Sequence, residues 1–409
     1  MAVASLSRED WRSVARRLVL FALLVFALAA HVGELSVSLR QFRAEPSGPP
    51  PSYLPRFTEI GATEGRPYRD FPVEYPPVSL GAIELAAGTN NNETGANLVW
   101  LMALCNLITV AALAFGWGRR TAVFYLVLTV PLLAFLYTTI DLVSVALAVS
   151  AVALVVRGRE RLGGVALAAA VLAKVWPLTL LPMMVLQRKR RALAWSVSVL
   201  TLGTLVWVWW GTPSGPLQVA TQRNTPGWEY QSLVGSFLWA FGRGSLVTIN
   251  DSTRLVGVAP WWAKALLLGA AVAGIVAVWY RASRRNPREI GLPVMAAVSI
   301  LLLSAPLISP PYVIWLAPWA AIAWTERTGY VRWLLAALML VTGLVVVANG
   351  SVLADVSLWS VKAILLLRNA LLAAVPAVYL LERGVVTSAG PATPTGVETR
   401  LKISPSASS

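Results

Sequence analysis

The sequence predicts an all-α polytopic membrane protein, a bundle of about 10–12 transmembrane helices. Of the 409 residues, 57% are hydrophobic and only 13% are charged, whereas soluble proteins carry about 25% charged residues. Apolar runs of 18 residues or more recur along the chain, and each is long enough to cross a hydrocarbon core about 30 Å thick. The positive mean hydropathy of +0.66 also indicates a membrane protein. One large soluble core is excluded, because it would need polar helix faces that the sequence lacks.

Short basic clusters indicate how the spans are oriented. A formal net charge of +15 is compatible with nucleic-acid binding, but the cations lie in groups beside apolar spans, as the positive-inside rule expects of cytoplasmic loops. The groups are residues 16–17, 119–120, 157–161, 188–191 and 281–288. They predict a multi-pass protein of the plasma membrane with both termini cytoplasmic, in contact with membrane lipids and without a nucleic-acid partner.

The chain divides into a transmembrane domain, residues 1–383, and a tail. Residues 38–96 and 211–258 are predicted to be extracytoplasmic loops, and residues 384–409, rich in Ser, Thr, Pro and Gly, a disordered cytoplasmic tail. Residues 163–186 are long enough for one crossing, yet basic clusters flank them on both sides. Pro177 and Pro182 interrupt this run, and proline breaks helices. We therefore expect two shorter helices that enter the membrane and return.

The first loop concentrates residues that could carry chemistry. Residues 65–77 read GRPYRDFPVEYPP, with prolines that restrict the backbone and with two acids, Asp70 and Glu74, beside Arg66 and Arg69. In an extended chain the two acids lie roughly 13 Å apart, which suits one general base and one substrate-binding acid better than a close pair. The alternative is that both acids only form ion pairs with the two arginines.

Three further ionisable residues lie in or beside apolar spans. Asp141 ends a short outer turn, where it is either a solvated cap or part of a site. Lys174 lies within the broken run and Arg368 near the middle of the last span. Charged groups at such depth are costly and mark functional sites or internal partners. A buried ion pair is the alternative for Arg368, and a cation for a phosphate is the functional interpretation.

Redox and metal chemistry have no visible motif in the sequence. The single cysteine, Cys105, and the single histidine, His31, exclude intrachain disulfides and multi-histidine metal sites. His31 is predicted to be a residue at the membrane boundary. No Walker-type loop, dinucleotide fingerprint or HExxH motif occurs, so we expect neither a metal nor a cofactor.

Five stretches resemble one family in the same order. They are PYRDFPVEYPP at 67–77, DLVSVALA at 141–148, GGVALAAAVLAKVWPLTLLP at 163–182, residues 221–232 with EYQS at the end, and SPPYVIWLAP at 309–318. Together they resemble bacterial multi-spanning glycosyltransferases of the C-type fold that use polyprenyl-phosphate mannose, the phosphatidylinositol-mannoside mannosyltransferases among them. Two positions depart from that pattern: an upstream Ser-Asp pair is replaced by PPPSY at 49–53, and Pro311 stands where glutamine is usual.

The resemblance implies a C-type glycosyltransferase-like bundle whose first loop is catalytic, and an inverting transfer of a hexose. The donor would be a polyprenyl-phosphate sugar, with mannose the expected hexose, and the acceptor a glycolipid or glycan of the cell envelope. Asp70 is the expected general base, and Lys174 and Arg368 are expected to bind the donor phosphate. The expected substrate-binding residues are Glu74, Tyr75, Arg66, Arg69, Asp141, Gln231 and Tyr312.

Two other functions remain open from the sequence. A lipid or solute transporter would show ionisable residues along a midplane path and often an internal repeat, and no repeat is found. A non-catalytic membrane protein of envelope assembly is the other alternative, because the upstream aspartate is missing.

Overall fold

The computed structural model describes residues 8–43, 53–221, 226–249, 252–257, 261–285, 289–352 and 359–382. Residues 384–409, predicted to be a disordered tail, lie outside the described residues. The described chain folds into a helical bundle with one small sheet. Its first ten helices are α1 (Arg8–Arg43), α2 (Tyr53–Ala62), α3 (Pro77–Ala86), α4 (Asn91–Trp117), α5 (Arg119–Thr129), α6 (Leu133–Leu136), α7 (Asp141–Val156), α8 (Glu160–Ala173), α9 (Leu181–Leu186) and α10 (Arg190–Gly211).

The second half of the chain holds the sheet and seven further helices. The helices are α11 (Ser214–Thr221), α12 (Leu233–Ala240), α13 (Trp261–Arg284), α14 (Gly291–Ser304), α15 (Ala317–Glu326), α16 (Tyr330–Val352) and α17 (Trp359–Leu381). The strands β1 (Trp228–Glu229), β2 (Ser245–Ile249) and β3 (Ser252–Val256) form an antiparallel sheet in the order β1-β3-β2. Short 3₁₀ turns occupy Val130–Leu132, Trp176–Leu180 and Pro310–Trp315.

The protein is a polytopic membrane protein with an almost entirely helical fold, as the sequence predicts. Within the described residues, six helical segments are long and apolar enough to cross a membrane: residues 13–43, 91–117, 119–136, 190–211, 262–284 and 359–381. Shorter apolar helices, α3, α7, α14 and the pieces around α9 and α16 among them, pack between or beside these spans. The sheet in the second predicted loop is a β element that the sequence pattern did not indicate.

Helix α7 lies at the centre of the bundle and is buried on nearly every side. A helix that is apolar all round is typical of such a position. Small residues allow its neighbours to approach closely: a Cβ on Gly163 would lie 2.8 Å from the carbonyl oxygen of Ala151 in α7, and one on Gly164 would lie 2.4 Å from that of Ala192 in α10. Glycine is common at such close helix crossings in membranes. Helix α8 is therefore clamped between α7 and α10.

The predicted break in residues 163–186 is confirmed. Helix α8 ends at Ala173, Lys174 adopts an extended conformation, and Pro177 and Pro182 occupy the first turns of the 3₁₀ segment and of α9. The chain then returns to the face from which α8 started, because Lys189 Nζ lies 3.4 Å from Glu160 Oε1. The two basic clusters at 157–161 and 188–191 accordingly lie on one face of the bundle.

The structure adds detail to two expectations about the first part of the chain. Helix α1 continues to Arg43, and residues 53–86 of the first predicted loop contain α2 and α3, so the loop is a folded unit. His31, expected at the membrane boundary, is 5% exposed and buried within the bundle. Its Nε2 donates to the Leu126 carbonyl (3.1 Å) and its Nδ1 accepts from the Tyr137 hydroxyl (2.7 Å). This buried hydrogen bonding joins α1 to α5 and to the turn after α6.

Candidate functional site

The centre of the candidate site is a buried ion pair between Asp141 and Lys174. Asp141 is the first residue of α7, and Lys174 lies where α8 is interrupted ahead of Pro177. Lys174 Nζ is 2.5 Å from Asp141 Oδ1, and the two residues are only 9% and 5% exposed. A buried charge is tolerated when it is paired and hydrogen-bonded. The helix break therefore places a lysine opposite the one carboxylate that it contacts among the described residues.

Aromatic rings enclose this ion pair. The indole Nε1 of Trp315 donates to Asp141 Oδ1 at 2.6 Å, and Lys174 Nζ lies 4.8 Å from the ring centre of Tyr312 and 5.0 Å from that of Trp315. Trp176 stacks on Trp315 with the rings 5.7 Å apart. Cation–π contacts of this kind attract a desolvated ammonium group. Tyr312 and Trp315 both lie in the 3₁₀ segment that carries the SPPYVIW stretch.

An apolar cleft of about 420 Å³ opens beside Lys174. Its walls come from α8, α10 and α11, with one residue of the first loop at its edge. Besides Lys174 it is lined by Pro76, Val171, Leu172, Val175, Leu200, Thr204, Trp207, Pro216 and Val219. Of the described residues in this lining, Lys174 alone is charged. The cleft therefore offers an apolar groove with a cation at one point of its wall, a shape suited to an amphipathic anion.

The first-loop motif is fastened against the wall of this cleft. The ring of Tyr68 packs 5.4 Å from that of Trp207. Gln218 of α11 donates to the Tyr68 carbonyl (2.8 Å) and accepts from the Val73 N–H (3.1 Å). The Tyr68 hydroxyl donates to the Tyr75 carbonyl at 2.6 Å, and Pro76 follows directly. Tyr68 has φ +68, a backbone conformation that bulky residues rarely adopt and that often accompanies functional sites.

Asp70 projects from the same loop into solvent. Its side chain is 49% exposed and lies 4.0 Å from Arg69 Nε, and its Oδ2 accepts the backbone N–H of Arg66 at 2.7 Å. The Arg66 guanidinium lies instead over the ring of Trp210, 5.6 Å from its centre. Asp70 is thus oriented by a backbone hydrogen bond and remains open to a reactant.

Glu74 has a different partner from the one considered in the sequence. It forms a salt bridge with Arg56 of α2 at 3.1 Å, and Arg56 also donates to the Pro72 carbonyl. Pairing of Glu74 with Arg66 or Arg69 is therefore wrong. The salt bridge ties α2 to the loop ahead of the cleft, and it holds the Glu74 side chain at 22% exposure.

A second cluster of buried polar side chains surrounds Arg368 in α17. The Arg368 side chain is fully buried, and its guanidinium donates to the Gln231 carbonyl. Its Nε and Nη1, the Gln231 Oε1 and the Asn369 Oδ1 are buried without a hydrogen-bond partner among the described residues. Unsatisfied buried polar atoms on this scale are unusual in a folded protein. They are groups for which a water molecule or a ligand would supply the missing partners.

Glu229 and Arg254 interact with residues of both buried clusters, the one around Asp141 and Lys174 and the one around Arg368. Glu229 of β1 interacts electrostatically with Arg368 and with Arg254 of β3, and Arg254 in turn interacts with Tyr312 beside Lys174. Glu229 is 5% exposed, and burial raises its pKa to about 8. Between them, Glu229 and Arg254 therefore interact electrostatically with a residue of each buried cluster.

The structure brings some of the predicted site residues together and leaves others apart. Asp141, Lys174 and Tyr312 are in contact, and Gln231 contacts Arg368. Tyr75 precedes the cleft residue Pro76. Three polar residues of the first-loop turn have their contacts within that turn and with Trp210, and none of them contacts the Asp141–Lys174 pair; they are Arg66, Arg69 and Asp70. In the part of the chain that is described, no three His, Cys, Asp or Glu side chains come together as metal ligands would.

Sequence reasoning missed several residues of this site. Trp176, Trp315 and Glu229 lie inside the motif stretches, close to residues that the sequence analysis names as site candidates. That proximity is the signal that could have identified them. Arg254 lies outside every motif, and only the pairing of β3 with β1 places it beside Glu229. Residues 222–225, part of the second-loop stretch, lie outside the described residues.

These features define a polytopic membrane protein with a buried charged site beside an apolar cleft. The sequence profile of Glycosyltransferase family 87 matches residues 75–310, more than half of the chain. The protein therefore belongs to glycosyltransferase family 87. The matched region includes Asp141, Lys174 and Gln231, starts five residues after Asp70 and ends before Tyr312.

Comparison with solved structures finds a similar chain in the apo form of the oligosaccharyltransferase of Archaeoglobus fulgidus. The similarity has a TM-score of 0.43 and 14% sequence identity, and it covers 88% of this chain and 56% of that chain. This chain thus corresponds to little more than half the length of that enzyme. Among the curated proteins, no relative matches the sequence.

Proposed function

We propose that this glycosyltransferase moves a hexose, mannose, from a polyprenyl-phosphate donor to a glycolipid or glycan of the cell envelope. The observation that carries the proposal is the position of Lys174 in the wall of an apolar cleft. The isoprenoid chain would lie in the cleft, among the aliphatic residues of α8 and α10. The phosphate would lie at Lys174, where a low dielectric strengthens its attraction to the cation.

The charge balance of the buried groups supports an anionic ligand. Among the described residues, Lys174 is paired with Asp141, and the fully buried Arg368 interacts with Glu229. The raised pKa of Glu229 leaves the charge of Arg368 incompletely compensated, because a protonated carboxyl compensates no cation. Burying a net charge is costly, and a phosphate would offset it. The N–H groups of Arg368 Nε and Nη1 add donors for the same anion.

The reaction that we propose is a single displacement with inversion. The acceptor hydroxyl attacks the anomeric carbon, the bond from that carbon to the phosphate oxygen breaks, and the phosphate leaves with the electron pair. The transition state resembles an oxocarbenium ion. Asp70 takes the hydroxyl proton as general base, while Lys174 and Arg368 stabilise the charge on the departing phosphate. Glu74, Tyr75, Arg66, Arg69, Asp141, Gln231 and Tyr312 are proposed to contact or orient the substrates.

We also propose that the reaction takes place on the extracytoplasmic face of the plasma membrane. Helix α7 supports this assignment, because its sixteen residues, about 24 Å at 1.5 Å per residue, separate Asp141 from the basic cluster that starts at Arg157. If that cluster is cytoplasmic, Asp141 and the first loop lie towards the opposite face, with both termini cytoplasmic.

The test is a transfer assay on membrane fractions with radiolabelled polyprenyl-phosphate mannose. Lys174→Met should lower transfer about 10²-fold, the usual cost of removing one charge-stabilising group. Lys362→Met is the matched control, since Lys362 also lies over two rings, 5.2 Å from Trp239 and 5.1 Å from Trp359, but outside the cleft. Equal transfer by the Lys174 variant and the control, at equal protein levels, would refute the assignment. A nucleotide-linked mannose supplied instead should give no product with any variant.

A further inference from the structure

A second cavity lies at the end of α8 opposite Lys174, where the two basic clusters meet. Its volume is about 680 Å³, and five arginines line it: Arg159, Arg161, Arg188, Arg190 and Arg191. The two sets of arginines are separated by almost thirty residues in the sequence. They come together because the chain turns back at Lys174 and returns to the same face. We call this the arginine cavity.

The arginine cavity has a large uncompensated positive charge. Of the described residues in its lining, Glu160 alone is acidic, and Lys189 forms a salt bridge with it at 3.4 Å. Across the described part of the chain, none of the five lining arginines forms a salt bridge with a carboxylate. Five guanidinium groups around one concavity repel each other, and an anion between them would relieve this repulsion. Arginine is also the side chain best suited to bidentate phosphate binding.

The backbone adds to this preference for an anion. Helices α8 and α10 both begin at the cavity, and among the described residues neither N-terminus is capped by a side chain. The two first turns therefore point N–H groups and the positive ends of two helix dipoles to the same side of the protein. A Cβ on Gly164 would lie 2.4 Å from the Ala192 carbonyl oxygen, so the two N-termini are held close together.

Apolar residues next to the arginine cavity indicate what kind of anion it accepts. Leu162 is part of the lining and is 57% exposed, and Val165 and Val185, one turn further into the bundle, are 37% and 56% exposed. These side chains form an exposed apolar surface of the bundle beside the arginines. A ligand that fills the site would carry its phosphate among the arginines and its hydrocarbon against these residues.

We propose that the arginine cavity binds the phosphate headgroup of an anionic phospholipid of the surrounding membrane. This site is separate from the proposed catalytic site, because α8 has the arginine cavity at its first residue and Lys174 just after its last. The bound lipid would fix the two basic turns and, through α8, the position of Lys174. The proposal does not depend on the identity of the sugar donor.

The test measures lipid binding to the purified full-length chain in detergent, by native mass spectrometry with phosphatidylglycerol and with phosphatidylcholine of identical acyl chains. Phosphatidylglycerol should bind at least about tenfold more tightly than phosphatidylcholine. One basic residue near an anionic lipid contributes about fivefold in affinity, so the triple change Arg188→Gln, Arg190→Gln and Arg191→Gln should weaken phosphatidylglycerol binding about 100-fold. The double change Arg159→Gln and Arg161→Gln removes the arginines at the start of α8, and it should weaken phosphatidylglycerol binding about 30-fold.

The control is the pair Arg119→Gln and Arg120→Gln, an exposed basic pair at the start of α5 outside the cavity, which should leave binding unchanged. Equal binding of the two lipids, or an equal loss in the control, would overturn the proposal. So would unchanged binding in both cavity variants. Competition by glycerol phosphate at the same concentration as phosphatidylglycerol would show that a soluble phosphate is the ligand, and would overturn the lipid assignment.

Discussion

The first loop and the α7–α8 hairpin each hold a carboxylate beside a cation, and the two pairs differ in nearly every physical respect. Asp70 lies 4.0 Å from Arg69 Nε, and both side chains are about half exposed. Asp141 lies 2.5 Å from Lys174 Nζ, and both are buried. Exposed pairs contribute about 0–1 kcal/mol to stability, whereas breaking a buried pair costs about 3–5 kcal/mol.

This difference separates two tasks that a transferase of this kind needs. Asp141 is occupied by Lys174 and Trp315, so it can orient the lysine but is poorly placed to collect a proton from an acceptor. Asp70 has one backbone hydrogen bond and an open side, so an acceptor hydroxyl can reach it. We therefore expect substitutions at Asp70 to change activity without changing stability, and substitutions at Asp141 to change both.

The largest effect is expected for Asp70→Asn. General-base catalysis contributes about 10²- to 10⁴-fold, so glycosyl transfer should fall by that factor. The amide oxygen that this substitution introduces can still accept the Arg66 N–H that Asp70 Oδ2 accepts now, so the melting temperature should not change. Initial transfer rates and thermal stability in detergent measure the two quantities.

Glu64→Gln is the matched control for this change. Glu64 is an exposed carboxylate in the same loop, and its loss should leave transfer intact. Full activity of Asp70→Asn, together with loss of activity in Glu74→Gln or Asp141→Asn, would assign the base to another carboxylate. Activity in all three variants would remove hydroxyl deprotonation by these residues from the mechanism.

A loss of stability is expected for Asp141→Asn. Without the carboxylate Lys174 is a buried cation with no charged partner, which costs about 3–5 kcal/mol. Adding Lys174→Met should recover part of that loss, because the unpaired charge is then gone; this is the double-mutant comparison that isolates the ion pair. The control is Glu59→Gln, which breaks an exposed salt bridge. Glu59 pairs with Arg56, and the Glu59 side chain is 61% exposed, so its loss should change stability little. A double variant no more stable than Asp141→Asn would mean that the pair is not the cause.

The sequence predicted those features of the fold that depend on local signals. Prolines at 177 and 182 and basic residues at both ends were enough to predict the broken hairpin, because a proline acts on its own turn and charge patterning sets orientation. The pairings across long stretches of chain were not predictable in this way. Nothing in the local pattern connects Asp141 with Lys174 and Trp315, or His31 with Tyr137.

The same limit explains the errors at individual residues. Glu74 has arginines five and eight residues before it in the chain, yet Arg56 of α2 binds it, because the loop folds back on that helix. The hydrogen bonds of the buried His31 were not predictable either, since its partners come from other helices. Composition favoured an all-α fold. The small sheet was not predicted, because its strands span only two to five residues.

The smallest effect is expected from Glu229, whose burial differs from the exposure of Asp70. Burial raises the pKa of Glu229 to about 8 from 4.5. The folded protein therefore keeps a proton on Glu229 at pH values where the unfolded chain has lost it, and stability falls as pH rises from about 5 to about 8. Glu229→Gln carries no titrating proton there, so its melting temperature should depend less on pH than that of the wild type.

Glu84→Gln, an exposed control in α3, should behave as the wild type does. A pH dependence over this range that is the same in the wild type and in Glu229→Gln would show that Arg254 and Arg368 keep Glu229 ionised. In that case the buried groups would carry one positive charge fewer for the phosphate than we infer.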